Sequence, residues 1–93
     1  MFDLEYSNIS KKFLKKSDKT LAKRIMDKIE KLQENSVPSD AKFMGRVDNN
    51  KVFRIRVGGY RIIYRIKDSE KVILVSRIGK RNEVYDWVLI YKG

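Results

Sequence analysis

Alternation defines the first element of the chain. Phe2-Asp3-Leu4-Glu5-Tyr6 changes from apolar to polar at each step, as a half-buried strand does when successive side chains face opposite sides. Ser7 can then cap a short helix that carries Ile9, Phe13 and Leu14. Ser17 or Asp18 starts a longer one. In it Leu21, Ile25, Ile29 and Leu32 recur at helical spacing, while Lys23, Asp27, Glu30, Lys31 and Glu34 fall on other faces. Asn35 and the Val37-Pro38 pair end that helix. Ser39 to Asn50 reads as a connector, with Phe43 or Met44 anchoring a loop and Asp48-Asn49-Asn50 forming a turn.

The stretch from Phe53 to Ile66 (FRIRVGGYRIIYRI) predicts a β-hairpin closed at Gly58-Gly59, because glycine tolerates the positive φ angles of tight hairpin turns. This closure sets Val57 opposite Tyr60, Arg56 opposite Arg61, Ile55 opposite Ile62 and Phe53 opposite Tyr64. One face then carries Phe53, Ile55, Val57, Tyr60, Ile62, Tyr64 and Ile66. The other carries Arg54, Arg56, Arg61 and Arg65, interrupted by Ile63. Like charges placed directly opposite each other destabilise a sheet, so Arg56 against Arg61 points to an anionic partner. A second turn at Lys67-Glu70 leads to a strand over Lys71–Ile78, and a tight closure at Asp68-Ser69 would set Ser76 across from Arg61. The apolar end, Trp87 to Tyr91, reads as a last strand or helical turn packed on the core. Two amphipathic helices followed by an antiparallel meander predict an α+β fold of about four strands, with the helical hairpin on one face. Residues 1–93 form a single domain in this reading, and the arginine face stays open to solvent.

Composition changes the picture in two ways. With neither cysteine nor histidine among 93 residues, the chain lacks a disulfide framework, a thiolate metal site and the usual general base; no metal or cofactor is expected. The second is charge. Residues 1–41 hold nine Lys/Arg against seven Asp/Glu, whereas residues 42–93 hold thirteen against five. The excess therefore sits with the hairpin and the chain end, and much of it is arginine, which suits bidentate phosphate contacts. Nucleic acid is the leading partner. Lysines 11, 12, 15, 16 and 19 read as a solvated helix face and loop. No apolar run approaches membrane-spanning length, and a cytoplasmic protein is expected.

Beyond the third strand come Gly79, Lys80, Arg81, Asn82, Glu83, Val84 and Tyr85, which bring more cations and a phenol beside the end of the hairpin where Arg56 and Arg61 sit. The hairpin sequence followed by SRIGKRNEVY (76–85) resembles the RelE/ParE superfamily of toxin–antitoxin toxins, and its RelE branch more than its ParE branch. The order of elements is similar over nearly the whole chain. The resemblance implies a microbial-RNase-like fold, metal-independent cleavage of messenger RNA in the ribosomal A site, and neutralisation by a small RelB-like antitoxin. By position it makes Arg61 and Arg81 contacts of the reacting phosphate, and Tyr85 the active-site tyrosine of the tail. Arg54 and Arg56 match two basic positions that are lysines in the best-known RelE. Arginine cannot give up its proton as a lysine can, so both are phosphate clamps and poor bases. The tail is also shorter between the arginine and the tyrosine than in that relative.

RNA supplies its own nucleophile, the 2′-hydroxyl. An enzyme must orient it in line, stabilise the added negative charge and move two protons. Arg56, Arg61 and Arg81 can do the second task, with Arg54, Arg65 and Lys80 as RNA-binding groups. Tyr85, with an ordinary pKa of about 10, becomes a candidate base if arginines favour its phenolate; Lys80 is the alternative proton carrier. A ParE-like inhibitor of DNA gyrase that acts by binding, and an inactive RNA-binding homologue, are the alternative readings.

Overall fold

The structure, a computed structural model, describes residues 1–80. Strand β1 (Asp3–Tyr6) leads through Ser7 into helix α1 (Asn8–Lys16). The Ser7 hydroxyl oxygen accepts the Ser10 N–H at 3.1 Å, satisfying one of the donors a helix start leaves over. Asp18 caps α2 (Lys19–Glu30) in the same way, accepting the Leu21 N–H at 2.9 Å. A 3-10 turn at Lys31–Gln33 prolongs α2 and brings in Leu32. Strands β2 (Lys42–Val47), β3 (Asn50–Val57), β4 (Tyr60–Lys67) and β5 (Val72–Lys80) follow. Among the described residues, no helix is long and apolar enough to cross a membrane.

The α+β architecture with a helical hairpin on one sheet face is the one expected. The sheet itself has five strands rather than about four, in the order β1-β5-β4-β3-β2, and it is mixed: β1 pairs parallel with β5, from Asp3 opposite Val72 to Tyr6 opposite Val75. Parallel pairing needs a long crossover, and here the helices and the other strands provide it. The fifth strand, β2, lies in the segment read as a connector. Its register shifts between Phe43 and Gly45, and Gly45 has φ of 134°. That bulge breaks the two-residue alternation by which a strand is recognised. Phe43 turns to the helix side, edge to face with Phe53 at 5.6 Å, while Met44 packs with Val52 and Ile63 on the other side.

Ile25, Ile29 and Leu32 pack on Ile55, Ile62, Tyr64, Ile73, Val75 and Ile78, so the helices cover the face of the hairpin that the alternation assigned to the core. Tyr64 is wholly buried, and its hydroxyl donates to the Ser36 carbonyl at 2.6 Å, tying the segment after α2 to the sheet. Burial, with the Asp40 carboxylate nearby, pushes the Tyr64 hydroxyl well above the ordinary phenol range.

The β4–β5 register corrects one expectation. The turn is longer than a tight closure: a 3-10 turn at Asp68–Glu70 and Lys71 at φ 57° set Lys67 opposite Val72. The register then shifts by one residue, so Tyr64 faces Val75 while Ile63 faces Arg77. Ser76 is the extra residue of this bulge, and Gly79 takes the place opposite Arg61. The start of α1 clasps the bulge. Ser7 donates its hydroxyl to the Ser76 carbonyl at 2.8 Å and its N–H to the Val75 carbonyl at 2.9 Å, and the buried Ser10 hydroxyl reaches the same Val75 carbonyl at 3.1 Å.

Candidate functional site

The β3–β4 pairing follows the expected register throughout, including Arg56 opposite Arg61 and Val57 opposite Tyr60 around Gly58 at φ 57°. Lateral pairing then assembles two rows on the sheet face away from the helices. One runs Lys42, Arg54, Ile63, Arg77; the next runs Arg56, Arg61, Gly79. Two residues along a strand separate the rows, a distance of roughly 7 Å. Four strands therefore contribute to one cationic surface.

Arg61 departs from the expectation of an open face. It is 7% exposed, and one terminal nitrogen of its guanidinium donates to the carbonyls of Gly58 and Tyr60, each at 3.3 Å. The side chain is thus folded back on the turn and held there. Its row neighbours are Arg56 on one side and Gly79 on the other, and the two carbonyls of the turn give its terminal nitrogen the partners that solvent would otherwise supply. Phe13 of α1 meets Tyr60 edge to face at 5.8 Å and steadies the same turn from the helix side.

Arg54 is half-buried and Arg56 exposed, and they line a surface pocket of about 230 Å3 together with Lys42 and Asp40. Asp40 does not neutralise the pair. It accepts a hydrogen bond from the Lys28 ammonium at 2.9 Å, and that bond, with the charges of Lys28 and Arg56, holds its carboxyl below the usual carboxylate range. A pocket with a pre-engaged carboxylate and two guanidiniums is suited to a phosphodiester, and fixed donors of this kind stabilise charge that grows during reaction.

The remaining candidates separate. Arg65 shares the sheet face but sits at the far end of the hairpin, where its guanidinium meets the Asp48 carboxylate at 3.5 Å. Lys80 lies opposite Tyr60, hence on the helix side of the sheet. There it lines a hollow of about 360 Å3 with Phe13, Lys16, Asp18 and Tyr60. Arg81 and Tyr85, like the apolar run from Trp87 to Tyr91, lie outside the described residues. Residues that sequence reasoning passed over also come to the hairpin tip. Arg77 joins the first row, and Arg24 of α2 reaches Gly58, with its Nη2 3.4 Å from where a Cβ on that glycine would stand. The only signal for Arg24 was its helical spacing to Lys28 and Lys31, which places the three on one helix face.

Comparison with known proteins gives a consistent picture. The family pattern described as ParE toxin of type II toxin–antitoxin system, parDE, matches residues 4–85. A protein of Escherichia coli described as RelE-like toxin is 28% identical over 87 residues, covering 91% of this chain and 90% of its own. Among solved structures, the isolated RelE toxin of E. coli superposes with a TM-score of 0.74 at 24% identity, over 97% of both chains. The archaeal RelE–RelB complex of Pyrococcus horikoshii OT3 gives 0.77 at 23% identity, over 86% of this chain and 94% of that one. Helices on one face of a mixed sheet are shared with these structures.

Proposed function

The chain belongs to the ParE toxin family of type II toxin–antitoxin systems, and from that premise we propose that it is a RelE-type endoribonuclease cutting messenger RNA in the ribosomal A site. The observation that carries the proposal is the pair of cationic rows at the hairpin tip, with Arg61 buried and hydrogen-bonded in place between Arg56 and β5.

In this reading the 2′-oxygen of the nucleotide before the cut forms a bond to phosphorus as the bond from phosphorus to the 5′-oxygen breaks. A 2′,3′-cyclic phosphate and a 5′-hydroxyl end result. Arg56 and Arg61 stabilise the charge added to the non-bridging oxygens, Arg54 holds the adjoining phosphate, and Arg81 is the further phosphate contact that the resemblance implies. Tyr85 takes the 2′-proton, and water supplies the proton that the leaving 5′-oxygen needs; Lys80, the alternative proton carrier from the sequence, stands on the helix side of the sheet, away from the two rows. Without histidine, a pre-organised substrate matters more, so a ribosome that presents the messenger in line supplies what the side chains do not. A RelB-like antitoxin is the cognate partner, by family and by the complex in which the Pyrococcus relative is found. The setting is the cytoplasm.

Sequencing RNA ends after induction tests the proposal, with Arg61→Ala as the control. Cuts within codons of translated messages, absent from the control, are expected. Because the family is described by its ParE members, gyrase poisoning is the second reading. DNA breakage without messenger cuts would select it and end the first.

A further inference from the structure

The exposed face of α2 carries cations that the proposed reaction does not use. Arg24, Lys28 and Lys31 line an open cleft of about 290 Å3 at the hairpin tip, closed on the strand side by Arg56 and Gly58. Asp27 is the carboxylate on this lining, and it faces Lys23 at 3.8 Å. Lys28 is committed to Asp40 at 2.9 Å. Among the described residues, neither Arg24, Lys31 nor Arg56 has a carboxylate within ion-pair distance. Their mutual repulsion is a standing cost that an anion in the cleft would remove.

The chemistry of that anion can be narrowed. Two of the three uncommitted cations are arginines, whose planar forks match phosphate oxygens. Among the described residues, the cleft offers no aromatic or large aliphatic anchor of the kind on which protein partners spend their binding energy; Val57 is the one apolar side chain on that lining, and it is half-buried. Gly58 has no side chain, and among the described residues nothing stands within 4 Å of where a Cβ on Gly59 would lie, so a polymer backbone can approach the turn closely. We propose that this cleft docks the phosphodiester backbone of RNA outside the scissile phosphate, Arg56 being shared between the docking cleft and the cutting surface. The inference rests on the reading of the protein as an RNA-directed toxin and adds to it a second contact that sets affinity and leaves the chemistry alone.

The test uses RNA that is 2′-O-methylated, which lacks the nucleophile and reports binding without cleavage. A fluorescent single strand and a fluorescent hairpin duplex are titrated against the full chain at several salt concentrations. Arg24→Ala with Lys31→Ala should weaken binding roughly tenfold and make the dependence of log K on log salt shallower by about two. The single strand responding alone assigns the contact to messenger; the duplex responding assigns it to folded RNA. A second double variant, Arg24→Lys with Lys31→Arg, keeps both charges and should restore affinity and slope, which separates the charge effect from misfolding. In cleavage assays on translating ribosomes, the alanine pair should raise the half-saturating protein concentration and leave the maximal rate unchanged. Unaltered affinity and slope in the alanine pair overturn the proposal. So does tight binding of an acidic peptide with no binding of either RNA. If the methylated RNAs behave as expected while no cleavage is seen on ribosomes, the docking cleft stands and the ribonuclease reading falls.

Discussion

The two ends of the β3–β4 hairpin carry similar cations and treat them in opposite ways. At the base, Arg65 faces Asp48 at 3.5 Å, and Lys67 lies within 3.9 Å of Glu5 and 3.8 Å of Glu70. At the tip, Arg56 faces Arg61, Arg24 comes in from α2, and the carboxylates nearby are already engaged, Asp40 by Lys28 and Asp27 by Lys23. The same residue type therefore reads as surface charge at one end and as a binding surface at the other. Placement of the acids, more than placement of the bases, marks the site.

Removing the central guanidinium is the harshest way to break that contrast. Arg61→Ala should lower messenger cleavage on translating ribosomes on the order of 100- to 1000-fold, the effect of losing one well-placed charge-stabilising donor, with circular dichroism unchanged. Importing an acid to the tip comes next. Among the described residues nothing stands within 4 Å of where a Cβ on Gly59 would lie, so Gly59→Asp should fold and should weaken binding of methylated RNA roughly tenfold.

A variant that touches neither end sharpens the comparison. Tyr64→Phe loses the bond to the Ser36 carbonyl and should cost about 1 kcal/mol in urea denaturation at neutral pH, with cleavage kept. It should also change the alkaline limb. The Tyr64 hydroxyl is raised in the folded chain above its ordinary value of 10.0, so the unfolded chain loses that proton first. The associated stability is present below pH 10 and declines as pH rises through the folded value. Tyr64→Phe should flatten that decline, leaving the smaller contribution of Tyr6, raised by burial and by Glu30. The smallest effect belongs to the base of the hairpin. Asp48→Asn frees Arg65 from an exposed pair and should shift stability by no more than about 0.5 kcal/mol. If it enhances RNA binding, the distinction between the two ends is wrong.

The parts of this picture legible in the sequence are those governed by local periodicity. The hairpin register followed from two glycines and strict alternation, and both helices followed from their caps and apolar spacing. Strand β2 was not legible, because its bulge and Gly45 interrupt the alternation and its partner lies across a turn of two positive-φ residues, Asp48 and Asn49. Nor was the parallel docking of β1, which depends on where the helices deliver the chain. At the site, the pairing of Arg56 with Arg61 could be read from the turn. The burial of Arg61 and the arrival of Arg24 could not, since both depend on tertiary neighbours that no local pattern encodes.

The extra residue at Ser76 has a consequence for how this family member can vary. Val75 and Ile78 lie three positions apart, which would put them on opposite sides of a regular strand, and the bulge at Ser76 brings both to the apolar layer. Deleting Ser76 would leave Arg77 opposite Ile63 and Ile78 opposite Ile62 on their present sides, whereas deleting Arg77 or inserting a residue after it would turn the strand end over and carry Ile78 out of the apolar layer. Ser7 and Ser10 hold the bulge from the other end of the chain, so losing Ser76 costs the Ser7 hydroxyl its carbonyl partner while the strand keeps its frame.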